Sequence, residues 1–251
     1  MLAQIFYDSI LSKNLNSMKK FLLSFIIIAV FSGFVFWTGW TQAKVPPKYC
    51  GIVVSKTDGV SENPVTNGKF SWYWQFLLPT NAQIQTFNIQ PLSFSKSFAT
   101  ELPSSDFVKQ VFKTTATFDY TFSFDIMLTV SPEGLLGLYK ENMISDEKSL
   151  YEYLDGAATY IAQMAGGYFI KKSQENPKFR PETVRRDDLM RYVQPYIEYP
   201  QIEVSTVALT SYTLADTELF NVLKARLQTD SINFEKNDLN TDSTDTGNDD
   251  E

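Results

Sequence analysis

The longest apolar run comes early in the chain. From Phe21 to Trp40 twenty residues, FLLSFIIIAVFSGFVFWTGW, carry no charge. As a helix rising about 1.5 Å per residue they reach about 30 Å, the thickness of a bilayer's hydrocarbon core. Beyond this run the pattern turns to short segments of period two. Ile52-Val53-Val54 reads as a buried strand followed by the turn Asp58-Gly59, and Asn67-Gly68 marks a second turn. Phe70, Trp72, Trp74 and Phe76 then fall on alternate positions, which predicts a strand with one wholly aromatic face. Such a face fits a core, a ligand platform or a membrane-facing surface, and the core reading is the commonest of the three. Pro79 ends the segment, and Ile84 to Ile89 offers a weaker strand.

The clearest strand signal is farther on. Phe118, Tyr120, Phe122, Phe124, Ile126, Leu128 and Val130 alternate with a mostly polar set, so one face is buried and the other is not. Before it, Asp106 to Lys113 is compatible with either helix or strand. After it the period becomes helical. Ser131-Pro132-Glu133 combines a capping side chain, a proline with preset φ and an acid at the positive end of the dipole, which predicts a short helix to about Lys140. Ser149 and Glu152 have capping-box spacing, and Leu150, Leu154, Ala157, Ile161, Met164 and Tyr168 form one stripe behind them. Gly156, Gly166 and Gly167 weaken that helix while permitting close approach. A charged, proline-containing stretch from Lys171 leads to a short helix around Asp187 to Val193. Ile202 to Tyr212 reads as a strand, and Asp216 caps a last amphipathic helix with Leu219, Val222, Leu223 and Leu227 at helical spacing. The fold class is therefore α+β, with one transmembrane helix at the N-terminus.

Charge sharpens this division. The net charge is −7, and the segment from Asp230 to Glu251 holds eight acids and one base. Of 29 acids and 22 bases overall, that leaves 21 of each elsewhere, so the acidity belongs to a tail. The tail, residues 228–251, buries too little apolar surface to order itself and is expected to be disordered. No basic stripe is present to grip phosphates of a nucleic acid, so nucleic-acid binding is not expected.

Lys19 and Lys20 precede the apolar run directly, with Lys13 farther back, and Trp37 and Trp40 close it at the level where amphipathic rings favour headgroups. Phe21, Trp37 and Trp40 thus bound a membrane anchor over residues 21–40. Residues 1–20 are expected in the cytoplasm and the main domain on the outer side of the inner membrane. Met18 is an alternative start. The competing reading is a signal peptide cleaved after Ala43, which would release a soluble ligand-binding domain. The run is longer than an ordinary signal-peptide core and ends in tryptophans, which favours retention.

Candidate chemistry is sparse. Histidine is absent and Cys50 is the single cysteine, which excludes an intrachain disulfide, a histidine-based triad and the usual zinc sites. Cys50 has no histidine to activate it and reads as a small buried residue. Arg185-Arg186 beside Asp187-Asp188 reads as a solvated, self-paired surface. The carboxylates show no pair at a spacing that defines a hydrolase. No catalytic residue, cofactor site or metal site is assigned, and the chain is not expected to be an enzyme.

The order of these elements resembles the band-7 or SPFH family (stomatin, prohibitin, flotillin and bacterial protease-modulating homologues), over residues 45–227. An anchor leads directly into Tyr49-Cys50-Gly51-Ile52-Val53-Val54, similar to the family's opening strand. Pro64 through Phe70 resembles its proline-glycine turn, and Leu77-Leu78-Pro79 the proline segment that follows. Ser123 through Glu133 is similar to its long strand running into a helix start, and Tyr199 through Leu227 to its closing strand and helix. The chain departs from the pattern in Asn67-Gly68 for the usual Pro-Gly, in Val130-Ser131-Pro132 without the usual Arg and Asp, and in lacking the long heptad-bearing helix after Leu227. The resemblance implies an SPFH-like mixed sheet with packed helices and a non-enzymatic membrane scaffold. Such a scaffold self-associates or modulates a membrane partner such as a protease. Phe70, Trp72, Trp74 and Phe76 would be its membrane-proximal surface.

Overall fold

The computed structural model describes residues 2–42, 44–176, 178–194 and 198–242, with side chains described for 18–38, 44–176, 178–194 and 198–230. It is an α+β chain that divides into two compact units: residues 1–90 with 131–150, and residues 91–130 with 151–251.

In the first unit helix α1 runs from Leu2 to Gln42, so helix precedes the apolar run as well as covering it. The chain then enters β1, Tyr49–Ser55. Both edges of β1 are occupied by antiparallel partners. One edge takes β2, Gly59–Val60, through the Asp58-Gly59 turn, and β3, Val65–Thr66. The other takes β4, Ala82–Asn88, along its whole length, from Tyr49 opposite Asn88 to Ser55 opposite Ala82. Val45, Val53 and Val65 form a small core here, with Tyr73, Phe76 and Ile84 half-buried against it. Gly51 allows this packing, because a Cβ there would stand 2.6 Å from Ile84 Cδ1 and 2.7 Å from Val45 Cγ2. Helix α3, Pro132–Lys140, belongs to the same unit, and its predicted cap is present: Ser131 Oγ accepts from Gly134 N at 3.0 Å. Tyr139 of α3 meets Phe87 of β4 edge to face.

The expected aromatic strand is absent. Residues 70–73 have no regular structure and Trp74–Leu77 is a 3₁₀ turn. The alternation is present in the sequence, but the segment pairs with neither sheet, and its interleaved positions, Ser71, Tyr73, Gln75 and Leu77, define no clear polar face.

The second unit is built on a three-stranded antiparallel sheet in the order β5-β6-β7. The expectation of one mixed sheet is corrected to two antiparallel ones. Strand β6, Asp119–Val130, is central and follows its alternation closely: every even residue from Tyr120 to Val130 is buried. Strand β7, Ile202–Thr213, lies on one side with two register shifts, and β5, Leu92–Glu101, on the other. The sequence pattern did not reveal β5. Its inward row is Leu92, Phe94, Lys96, Phe98 and Thr100, and the lysine interrupts the apolar alternation. Lys96 is tolerated there because its Nζ sits 2.6 Å from Asp155 Oδ1.

The ambiguous stretch is helix α2, Ser105–Phe112. Helix α4, Glu147–Glu175, buries Leu154, Ala157, Ala158, Ile161, Ala162, Ala165 and Phe169. Its cap lies three residues earlier than the predicted one. Asp146 Oδ1 accepts from Ser149 N at 2.8 Å, and Ser149 Oγ accepts from Asp146 N at 3.0 Å, so Ser149 closes the box instead of opening it. Phe169 stacks on Phe122 and Phe124 with centroids 5.4 and 6.0 Å apart. Gly166 is needed where the helix meets Phe98, because a Cβ would lie 2.1 Å from that ring.

Helix α5, Arg186–Tyr192, follows, with Arg186 donating to Ser205 O and Thr206 Oγ1 on β7. Helix α6 starts at Thr217, with Asp216 Oδ1 accepting from Leu219 N, and Phe220 packs on Phe118 and Val108. The helix continues to Asp242, which corrects the expectation of disorder from residue 228. Between Leu227 and Asp242 there is neither proline nor glycine to stop it. Residues 243–251 of the tail lie outside the described residues.

Candidate functional site

The face that stands out is where the chain leaves α1. Between Met18 and Thr38 the helix has a mean hydropathy of 2.3 and none of it is buried in the protein. Phe21 is 75% exposed and Trp37 60%, so the large apolar side chains of this span have no protein core to cover them. An exposed apolar helix of this length near the N-terminus is compatible with a membrane span or a signal sequence. Trp40 belongs to α1, but its side chain lies outside the described residues.

The exit from this helix is tied down. Val45 is buried, and its carbonyl accepts from Asn67 Nδ2 at 3.0 Å. Asn67 is placed by the turn after β3, where Gly68 has φ +83°, a conformation open to glycine. The Asn-Gly pair predicted as a turn therefore also clamps the segment that follows α1. Sequence spacing did not reveal that use, since the partners are 22 residues apart.

The four predicted aromatic residues are split by the structure. Phe76 is half-buried against the Val45, Val53 and Val65 core, and Tyr73, not predicted, meets it edge to face at 6.4 Å. Phe70 is 63% exposed, Trp72 38% and Trp74 44%. The core reading thus holds for Phe76 alone. Phe70 in turn stacks on Phe36 of α1, with ring centroids 5.8 Å apart and planes at 14°. The exposed aromatic segment and the end of the apolar helix form one continuous surface.

Beside it lies a cavity of about 340 Å³ lined by Lys44, Val45, Thr66, Asn67, Gly68, Lys69, Phe70 and Ser71. A larger open groove of about 510 Å³ runs along Phe70, Trp72 and Tyr73 to Pro132 and Glu133.

Groups suited to covalent chemistry are poorly placed. Cys50 is fully buried; burial first, then the Glu133 carboxylate, pushes its thiol up to about 11, so it stays protonated at neutral pH. Among the described residues no three His, Cys, Asp or Glu side chains converge as a metal-binding group. Of the charged pairs near Arg186, Arg191 pairs with Asp188 at the surface, whereas Arg186 is engaged by β7.

No family model matches the sequence. The chain is 25% identical over 208 residues to a protein of Treponema pallidum (strain Nichols) described as an uncharacterized protein, an alignment covering 81% of this chain and 70% of that protein.

Proposed function

We propose that the protein is a single-pass, membrane-anchored scaffold of the SPFH type, without enzymatic activity of its own. It self-associates or modulates a membrane partner such as a protease. One observation carries the anchored reading. The aromatic surface of the folded part, Phe70, Trp72 and Trp74, is left exposed beside the end of α1 and is stacked on it through Phe36. Exposed tryptophans that meet the end of an apolar span belong at the headgroup level. A leader cleaved after Ala43 would take Phe36 away and leave that surface bare in water.

The SPFH reading is supported by the order of elements. The anchor is followed at once by β1 and its glycine turn, the long β6 runs straight into the Ser131-capped α3, and β7 leads into α6. The lysines before the span and the tryptophans after it favour a cytoplasmic N-terminus, with the folded part on the outer side of the inner membrane. The native mass of the full chain, extracted in mild detergent from alkali-washed membranes, tests the scaffold. A particle of several copies, alone or with a membrane protein, is the expected result. A monomer with no companion contradicts it.

A further inference from the structure

We infer that the cavity between Lys44 and Lys69 is a binding site for the phosphate of an anionic phospholipid headgroup, drawn from the membrane that holds α1. The inference rests on the anchored reading above. Four features of the cavity carry it. Its lining contains two lysines and no acid. Its donors are of the kinds that bind phosphate: two ammonium groups, the Thr66 and Ser71 hydroxyls, and the backbone around Gly68, which bears no side chain. One wall is Phe70, the residue stacked on Phe36 at the end of the span, so the cavity opens at the depth where headgroups lie.

The fourth feature is that the segments bearing the two lysines are held together by the fold. Lys44 precedes Val45, whose side chain is buried and whose carbonyl is held by Asn67; Lys69 follows Asn67 by two residues. The clamp therefore holds the backbone next to Lys44 beside the turn that carries Lys69. Long lysine side chains beside apolar surface place their stems on it and their charge in the polar layer, which suits both residues. A site so placed would fix the folded part's height and tilt on the bilayer.

The test uses the full chain reconstituted into phosphatidylcholine vesicles containing either brominated phosphatidylglycerol or brominated phosphatidylcholine at the same mole fraction. Bromine quenches nearby tryptophan, and Trp37, Trp40, Trp72 and Trp74 are the chain's four reporters. The expected result is stronger quenching by the phosphatidylglycerol. That preference should fall about five-fold for Lys44→Gln or Lys69→Gln alone and vanish in the double variant, since one surface lysine contributes about a five-fold preference for anionic lipid. Lys56→Gln, which lies outside this cavity, should keep it.

Equal quenching by both lipids in the unaltered chain overturns the site while leaving the anchor intact. A preference that survives the double variant, or is lost equally in Lys56→Gln, also overturns it. Preference abolished by millimolar inorganic phosphate assigns the cavity to free phosphate and overturns the lipid source. Quenching by neither lipid removes the tryptophans from the bilayer, and with them the anchored reading itself.

Discussion

Two stretches of this chain carry the same signature, aromatic residues on every second position, and they fold in opposite ways. In β6, Tyr120, Phe122 and Phe124 are all within 2% of complete burial, with β5 and β7 hydrogen-bonded on either side. In residues 70–76 three of the four aromatics at alternate positions are exposed and the backbone turns through a 3₁₀ segment. The difference is not hydrophobicity. The residues interleaved in β6 are mostly polar, Asp119, Thr121, Ser123, Asp125 and Thr129, which gives that strand a solvent face. Those interleaved at 71–77 are Ser71, Tyr73, Gln75 and Leu77, so neither face is clearly the outer one. The two stretches also differ in pairing: β6 is flanked on both sides, whereas residues 70–76 join neither sheet. Period two therefore reports a pattern of faces, and a strand follows only where that pattern is matched by pairing in a sheet.

The contrast is open to breakage by substitution in the full chain. The largest effects belong to β6: Phe122→Ala and Phe124→Ala should each cost about 3–5 kcal/mol, because each opens a cavity against Phe169. Denaturant unfolding followed by far-ultraviolet circular dichroism measures this, and a loss below about 1 kcal/mol would contradict the assigned core. Next comes the helix behind that sheet. Gly166→Ala forces a methyl into the Phe98 ring and should cost about 1–3 kcal/mol. Gly167→Ala, with nothing within 4 Å of the new Cβ, should gain about 0.5–1 kcal/mol from helix propensity. Equal effects at the two glycines would break the packing described for α4.

A smaller effect is expected from Cys50, because its thiol is raised from 9.0 to about 11 by burial and by Glu133. The folded state keeps a proton that the unfolded state releases, so this contribution is whole below about pH 9 and is lost between about pH 9 and 11. The thermal midpoint should therefore fall more steeply over that window in the native chain than in Cys50→Ala. Parallel falls would show that the thiol is not perturbed. The smallest stability effects are expected at the exposed aromatics: Trp72→Ala and Trp74→Ala should each change unfolding by about 0.5 kcal/mol or less. A cost near that of Phe122→Ala would return those rings to a core.

What was legible in the sequence follows the same division. The apolar run, β6, the Ser131 cap and the Asp216 cap were readable because each depends on neighbours in sequence. Strand β5 was not, since Lys96 in its inward row makes sense only with Asp155 from a distant helix. The true cap of α4 was displaced because Ser149 serves equally well as the first or the last member of a capping box. At the candidate site Phe70, Trp72 and Trp74 were singled out by spacing, as part of a face whose commonest reading is a core. Their exposure, the stack on Phe36 and the Asn67 clamp on Val45 required the fold.

The central claim is that α1 stays with the folded part and holds it at a membrane. Washing membranes at about pH 11 and then sequencing the N-terminus of the retained and released protein tests it most directly, since a retained spanning helix is effectively irreversible. The account predicts protein that remains in the pellet with the residues before Ala43 intact. Protein released into the wash and beginning at Lys44 would contradict it and leave a soluble domain with a bare aromatic face.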